Sequence, residues 1–350
     1  MAEMVDAICK EIILKQHRLA GQQIGSIYFG GGTPSVLPTT ALQQIFSTLE
    51  KHFSIASDAE ITIETNPDDL TAKKIADFRT LPVNRFSIGT QSFFDDDLLW
   101  MNRAHNANEA VDSIKRSQDA GFENLTIDLI YGYPLLSDEK WKSNINTAVE
   151  LQIPHLSAYS LTVEPRTALA NAIEKGKQKR IDDEQSAAQF LMLIDHLSTK
   201  GFEHYEISNY SLPGHYAVHN TNYWKGIPYL GIGPSAHGFD GDNRFINIAN
   251  NAKYMESLFA GSLPEEVEFL TPEDRFNEYI MTSLRTMWGI NLQEITSKFG
   301  SNFADQTKKQ IEPFMAKGQL IHDNGSIKLT HTGKLFADGI AAALFAEDNY

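Results

Sequence analysis

Four apolar runs in this chain end in polar residues of different chemistry. Ser26-Ile27-Tyr28-Phe29 leads into Gly30-Gly31-Gly32-Thr33-Pro34-Ser35, and Glu60-Ile61-Thr62-Ile63 into Glu64-Thr65-Asn66-Pro67. Arg85-Phe86-Ser87-Ile88-Gly89-Thr90 ends in Gln91, and Leu125-Thr126-Ile127 runs through Asp128 to Tyr131-Gly132-Tyr133-Pro134. Glycines let a ligand approach the backbone and leave N–H groups free, and Thr33 adds a hydroxyl. A carboxylate at a buried strand end is costly without a partner, and ribose hydroxyls would suit Glu64. The Gln91 amide both donates and accepts, while Asp128 sits among aliphatic residues. Arg103, in Trp100-Met101-Asn102-Arg103-Ala104-His105, follows the third of these runs, where a guanidinium reaches a ligand carboxylate with two N–H groups. Each has a structural reading as well. The glycine run is also a tight strand exit, Glu64 a salt-bridge partner and Arg103 a solvated helix arginine. Strand ends of this kind gathered at one mouth favour a ligand site.

The elements that would gather them are βα units. From residue 2 to about 245, strand-like runs alternate with stretches of helical period, the pattern of a parallel sheet. The runs Ile24 to Phe29, Glu60 to Glu64, Arg85 to Gly89, Leu125 to Ile130 and Leu156 to Leu161 predict strands, with helices over 39–52, 71–80, 107–120 and 138–150. A first helix over about 2–20 puts Met4, Val5, Ile8, Ile12 and Leu19 on one face. It has no strand before it, so the chain is expected to lack the first strand of a βα barrel. A helix over 182–200 precedes a strand-like His204 to Tyr210 and Gly- and Asn-rich loops. After residue 270 the pattern gives helices over 273–287, 290–299 and 303–317, then arms at 320–329 around the Asp323-Asn324-Gly325 turn, a winged-helix shape. Such modules often bind DNA, but residues 270–350 carry 8 Lys/Arg against 10 Asp/Glu, so a packing role is expected. The chain thus divides into 1–200, 201–269 and 270–350.

A net charge of −15 repels a phosphate backbone, and no nucleic-acid partner is expected. No run is long and apolar enough for a membrane span, the start lacks signal-peptide character, and nothing indicates peripheral membrane contact; a cytoplasmic protein is expected. The single cysteine, Cys9, lies beside Val5, Ile8 and Ile12 as a buried core thiol, and it rules out both an intrachain disulfide and a Cys-only metal site within these residues.

Taken together, the glycine run, Ala59 to Pro67, Asn84 to Phe93, the Arg103 segment and Asn124 to Pro134 resemble, in order and spacing, the successive motifs of radical S-adenosylmethionine (SAM) proteins related to oxygen-independent coproporphyrinogen III oxidase. The resemblance implies an α/β fold, a partial (βα)6 radical-SAM-type barrel lacking its first strand, with a C-terminal winged-helix-like module. It implies that Gly31, Gly32 and Thr33 contact the methionyl end of SAM, Glu64 its ribose, and Gln91, Arg103 and Asp128 the rest, with Thr162 at a further contact position. Two later stretches are similar to the HemW haem-chaperone branch: His219-Asn220-Thr221-Asn222-Tyr223-Trp224 to its HNxxYW motif, and Tyr229 to Gly238 to its YxGxGxxAHG motif. In that reading His219 is a candidate haem contact, imidazole being a natural axial ligand; His237 reads as a hydrogen-bonded loop histidine. The family opens with a CxxxCxxC loop holding a [4Fe–4S] cluster, absent from this sequence, so a truncated start is expected and the cluster belongs to a full-length form. The implied function is binding haem and delivering it to client haemoproteins. The alternative is the radical decarboxylation of coproporphyrinogen III, and whether the chain is an enzyme stays open.

Overall fold

The computed structural model describes residues 1–346. In chain order the first half contains α1 (Ala2–Lys15), β1 (Gln23–Phe29), α2 (Thr39–His52), β2 (Ser54–Thr65), α3 (Ala72–Phe78), β3 (Arg85–Gln91), α4 (Asp95–Trp100), α5 (Ala107–Asp119), β4 (Asn124–Tyr131), α6 (Asp138–Glu150) and β5 (His155–Ser160). Then come α7 (Ala168–Glu174), α8 (Asp183–Ser198), β6 (Glu203–Glu206), β7 (Asn209–Ser211), α9 (Val218–Trp224), β8 (His237–Phe239), β9 (Asn243–Asn247), α10 (Asn251–Phe259) and β10 (Glu265–Phe269). The last segment holds α11 (Pro272–Leu284), α12 (Leu292–Phe299), α13 (Ser301–Ala316), β11 (Leu320–Asp323), β12 (Ser326–Leu329) and α14 (Ala337–Ala343).

The main sheet has the order β1-β2-β3-β4-β5-β7-β6. Strands β2 to β5 pair in parallel, and β7 and β6 close the edge antiparallel. Glu64 and Gln91 therefore lie at the carboxyl ends of parallel strands, and Asp128 lies within β4. Local chemistry agrees with the topology. Thr71, Asn106, Ser137 and Asp182 each accept a backbone N–H at the start of the helix they precede, the capping expected of these residue types. Strand β3 is buried along almost its whole length, as a strand covered on both faces must be.

The chain separates into two compact units. One consists of 29–36 and 62–217, with a core that includes Phe86, Ile127, Leu129, Trp141 and Leu193. The other consists of 1–28, 37–61 and the chain from 218 onward. In it α1 packs between α2 and α10, and a three-stranded sheet runs β10-β9-β8. Within its C-terminal part, β11 and β12 pair antiparallel around Asn324 (φ 49°) and Gly325 (φ 83°), the left-handed pair of a two-residue hairpin. Ile290 pairs with Ile327 and Asn291 caps α12, so that helix starts at Leu292 rather than at Ile290.

Two readings change. The stretch from His204 to Tyr210 is not one strand but the hairpin β6–β7, turned by the Glu206 carboxylate, which accepts the Ser208 N–H at 3.0 Å and Asn209 Nδ2 at 2.6 Å. The predicted apolar face of α1 is only part of what it buries: Val5 and Ile12 are buried, but so are Glu11 and Lys15. No described helix is long and apolar enough to cross a membrane.

Candidate functional site

The glycine turn after β1 takes a left-handed step at Gly31 (φ 79°), and its N–H donates to Glu64 Oε2 at 3.2 Å. A Cβ on Gly31 or Gly32 would meet nothing within 4 Å, so this backbone faces open space. The turn is pinned from behind. Ser35 Oγ donates to Asp69 Oδ2 at 2.7 Å, and Asp69 also accepts the Asn66 N–H at 3.2 Å, fixing the turn that follows Glu64.

Gln91 lies where the β3–β4 register shifts and has φ 67°, a left-handed backbone that costs a non-glycine residue about 1 kcal/mol. The bulge turns its side chain toward Arg103. Gly89 makes the room: a Cβ there would come within 3.1 Å of Gln91 Nε2, 3.2 Å of Arg103 Nη2 and 3.3 Å of Asn66 Oδ1. Arg103 is delivered by the end of α4, where Asn102 (φ 55°) donates to Leu99 O at 3.1 Å and the Arg103 N–H to Leu98 O at 2.9 Å. This is a Schellman ending with Asn in place of Gly. The guanidinium, half-buried, donates to Asn66 Oδ1 at 2.7 Å and Gly89 O at 3.2 Å.

Asp128 is half-buried in β4, and loss of hydration, reinforced by the Glu64 carboxylate, pushes its pKa up to about 7. Hydrogen bonding with Ser157 and the charges of Arg85 and Arg103 oppose that rise. Gly31, Glu64, Gln91, Arg103 and Asp128 thus form one neighbourhood, with Gly32 and Thr33 continuing the glycine turn. Thr162 lies exposed, two residues past β5. Sequence reasoning missed Asn66, Asp69 and Gly89, of which Gly89 carried a signal: a glycine inside a strand marks a close approach.

His219 belongs to the other unit and lies in the first turn of α9. Its N–H and that of Val218 donate to Glu60 Oε1 and Oε2 at 3.0 and 2.9 Å. The ring stacks on Tyr28 (centroids 4.7 Å, 17° between planes), with Nδ1 3.2 Å from Ser26 Oγ and Nε2 3.0 Å from the Tyr223 hydroxyl. Tyr223 packs edge-on against both His219 and Tyr229, and Tyr229 against Phe239, so an aromatic ribbon runs along this surface. The glycine-rich Tyr229 to Gly238 loop is set by α1. Lys15 Nζ donates to Gly231 O at 2.9 Å, and the Gly233 N–H donates to Glu11 Oε2 at 2.8 Å. A Cβ on Gly231 would fall onto the His237 carbonyl, so that glycine is needed for the loop's own fold; His237 is exposed at the start of β8.

Residues 7–148 match the radical SAM superfamily, and residues 270–336 match the HemN C-terminal domain. The chain is 30% identical over 347 residues to the haem chaperone HemW of Bacillus subtilis, covering 99% of this chain and 92% of that protein. It is 31% identical over 332 residues to HemW of Escherichia coli, covering 93% and 85%. Its fold is that of the coproporphyrinogen III oxidase HemN of Escherichia coli, with a TM-score of 0.83 at 22% identity over 99% of this chain and 83% of that one. The radical SAM superfamily is one of SAM and an iron–sulfur cluster. The carboxylates, guanidinium, amide and open glycine turn suit the ammonium, carboxylate and hydroxyl groups of SAM. The cluster finds no such fit: Cys9, the single cysteine, is buried in α1 with Sγ 3.9 Å from Gln44 O, and the described residues contain no group of three or more metal-holding side chains.

Proposed function

Since the chain belongs to the HemW family of radical SAM proteins, we propose that it is a haem chaperone, binding haem through His219 and passing it to client haemoproteins. The observation that carries the residue assignment is the cradle around His219: the ring is oriented by Ser26 and Tyr28 and its backbone by Glu60, while its Nε2 faces the hydroxyl of Tyr223, part of an aromatic ribbon. Imidazole supplies an axial ligand to haem iron, and the flat apolar ring of a porphyrin suits aromatic neighbours.

The strand-end cluster is assigned to SAM. Arg103 would hold the carboxylate of the ligand and Glu64 its ribose hydroxyls. The backbone of Gly31, Gly32 and Thr33 would receive the methionyl end, with Gln91 and Thr162 completing the contacts. When bound, SAM brings a cationic sulfonium between its methionyl and adenosyl parts. A cation held beside Asp128 would favour its carboxylate form, which burial and Glu64 otherwise disfavour, its pKa being about 7. Asn66 keeps Arg103 aimed in the absence of ligand. The likeness to HemN, at 22% identity, is one of fold and brings no activity with it.

Titrating haemin into the purified chain tests the haem assignment. A Soret shift that saturates in wild type and is lost in His219→Ala supports it, and equal binding by the two proteins contradicts it.

A further inference from the structure

We infer that Tyr223 is an internal competitor for the haem-binding nitrogen of His219, a positioning residue that keeps bound haem exchangeable. The inference rests on the proposed haem binding at His219. It starts from helix geometry: four residues apart on α9, His219 and Tyr223 share one face, and Tyr223 Oη lies 3.0 Å from His219 Nε2. The imidazole does not depend on Tyr223 for its pose. Ser26 and Tyr28 on β1 hold its Nδ1 edge and one ring face, and Glu60 on β2 holds the backbone N–H groups of Val218 and His219. Both supports lie on strands, β1 and β2.

A neutral imidazole carries one N–H. With that proton on Nδ1, Ser26 Oγ accepts it, and the lone pair of Nε2 accepts the Tyr223 O–H. This lone pair is the one a haem iron takes, and an Nδ1–H bonded to an oxygen is the arrangement that orients metal-binding histidines. Iron and phenol exclude each other at Nε2. Tyr223 is 40% exposed, so its ring has solvent to move into when the bond breaks. Haem arrival therefore costs the Tyr223 bond, and haem departure restores it. The competitor weakens net affinity by the worth of one hydrogen bond, roughly two- to tenfold, and gives the departing iron a ready replacement. A protein whose task is to release haem gains from both.

The test compares wild type with Tyr223→Phe, Ser26→Ala and His219→Ala in the full chain, reading haemin affinity from the Soret band and release from transfer to apomyoglobin. Tyr223→Phe is expected to bind haemin roughly two- to tenfold more tightly and to release it more slowly, with the Soret maximum unchanged. Ser26→Ala is expected to bind more weakly. Tyr223→Leu removes the same hydroxyl and serves as a second variant whose affinity must move in the same direction. Equal or weaker binding by both Tyr223 variants overturns the inference, as does a changed spectrum in Tyr223→Phe, which would mark the phenol as an iron ligand. Unchanged binding in Ser26→Ala overturns the tautomer on which it depends. If His219→Ala binds haemin like wild type, the haem assignment itself fails; if it loses binding while Tyr223→Phe is unaltered, only the competitor fails.

Discussion

Asp128 shows what the proposed SAM site costs the fold. Its folded pKa of about 7 stands above the 3.8 of a free aspartate, so its contribution to stability is whole below 3.8 and is lost as pH rises through 7. Asp128→Asn removes the half-buried charge while keeping the shape. It is expected to be about 2 kcal/mol more stable than wild type at pH 8 and to show little gain at pH 4, as read from urea denaturation. SAM affinity, read by calorimetry, should fall in the same variant. Arg103→Lys should weaken SAM at least tenfold, since an ammonium cannot supply the paired N–H groups that serve Asn66, Gly89 and a carboxylate together. Glu64, Gln91 and Asp128 were legible because a polar residue closing or interrupting an apolar strand has no packing reason to be there; Arg103, on the loop after α4, was legible only through the motif around it. Ser26, Tyr28 and Glu60 were not: as parts of β1 and β2 they read as strand, and their role depends on a histidine more than 150 residues away.

At the scale of elements, what the sequence hid was where irregularities fall. The alternation of strands and helices followed from hydrophobic period, but the bulge at Gln91 and the Schellman ending before Arg103 depend on hydrogen bonds that no period records. Gly89→Ala tests the crowding directly: the added methyl meets Gln91, Arg103 and Asn66 at 3.1 to 3.3 Å and should lower SAM affinity more than it lowers stability. Helix α1 offers the opposite lesson. Its apolar face was visible, yet the helix also buries Lys15, with Glu11 at 2.6 Å and Glu265 at 3.1 Å, and Glu11 accepts from Asn247 and Tyr254 as well. A charged i,i+4 pair reads as solvated in a single sequence, because only the later arrival of β9, α10 and β10 covers it. Lys15→Met would leave two carboxylates without their ammonium partner, and denaturation is expected to show a loss of about 3 kcal/mol. A surface pair such as Lys298 and Glu294, removed as a control, should cost less than about 0.5 kcal/mol.

Over the whole molecule, pH should act through opposing groups. His155 is fully buried between Thr126 and Tyr205, and burial, with the charge of Arg85, holds its pKa well below 6.5. Burial also lowers His105. Such imidazoles contribute stability in full above pH 6.5 and lose it as pH falls, at about 1.4 kcal/mol per pH unit for each proton taken up on unfolding. Asp128 works in the other direction below pH 7, so the acid decline should steepen in Asp128→Asn and flatten in His155→Gln. Binding sets the larger question, whether one chain carries two separate ligand sets, residues of the strand ends for SAM and His219 for haem. The most direct measurement is haemin titration followed by the Soret band on wild type, His219→Ala and Arg103→Ala side by side. The account predicts saturable binding in wild type and in Arg103→Ala and its loss in His219→Ala. Retention of haemin binding by His219→Ala, at the wild-type affinity, would contradict it.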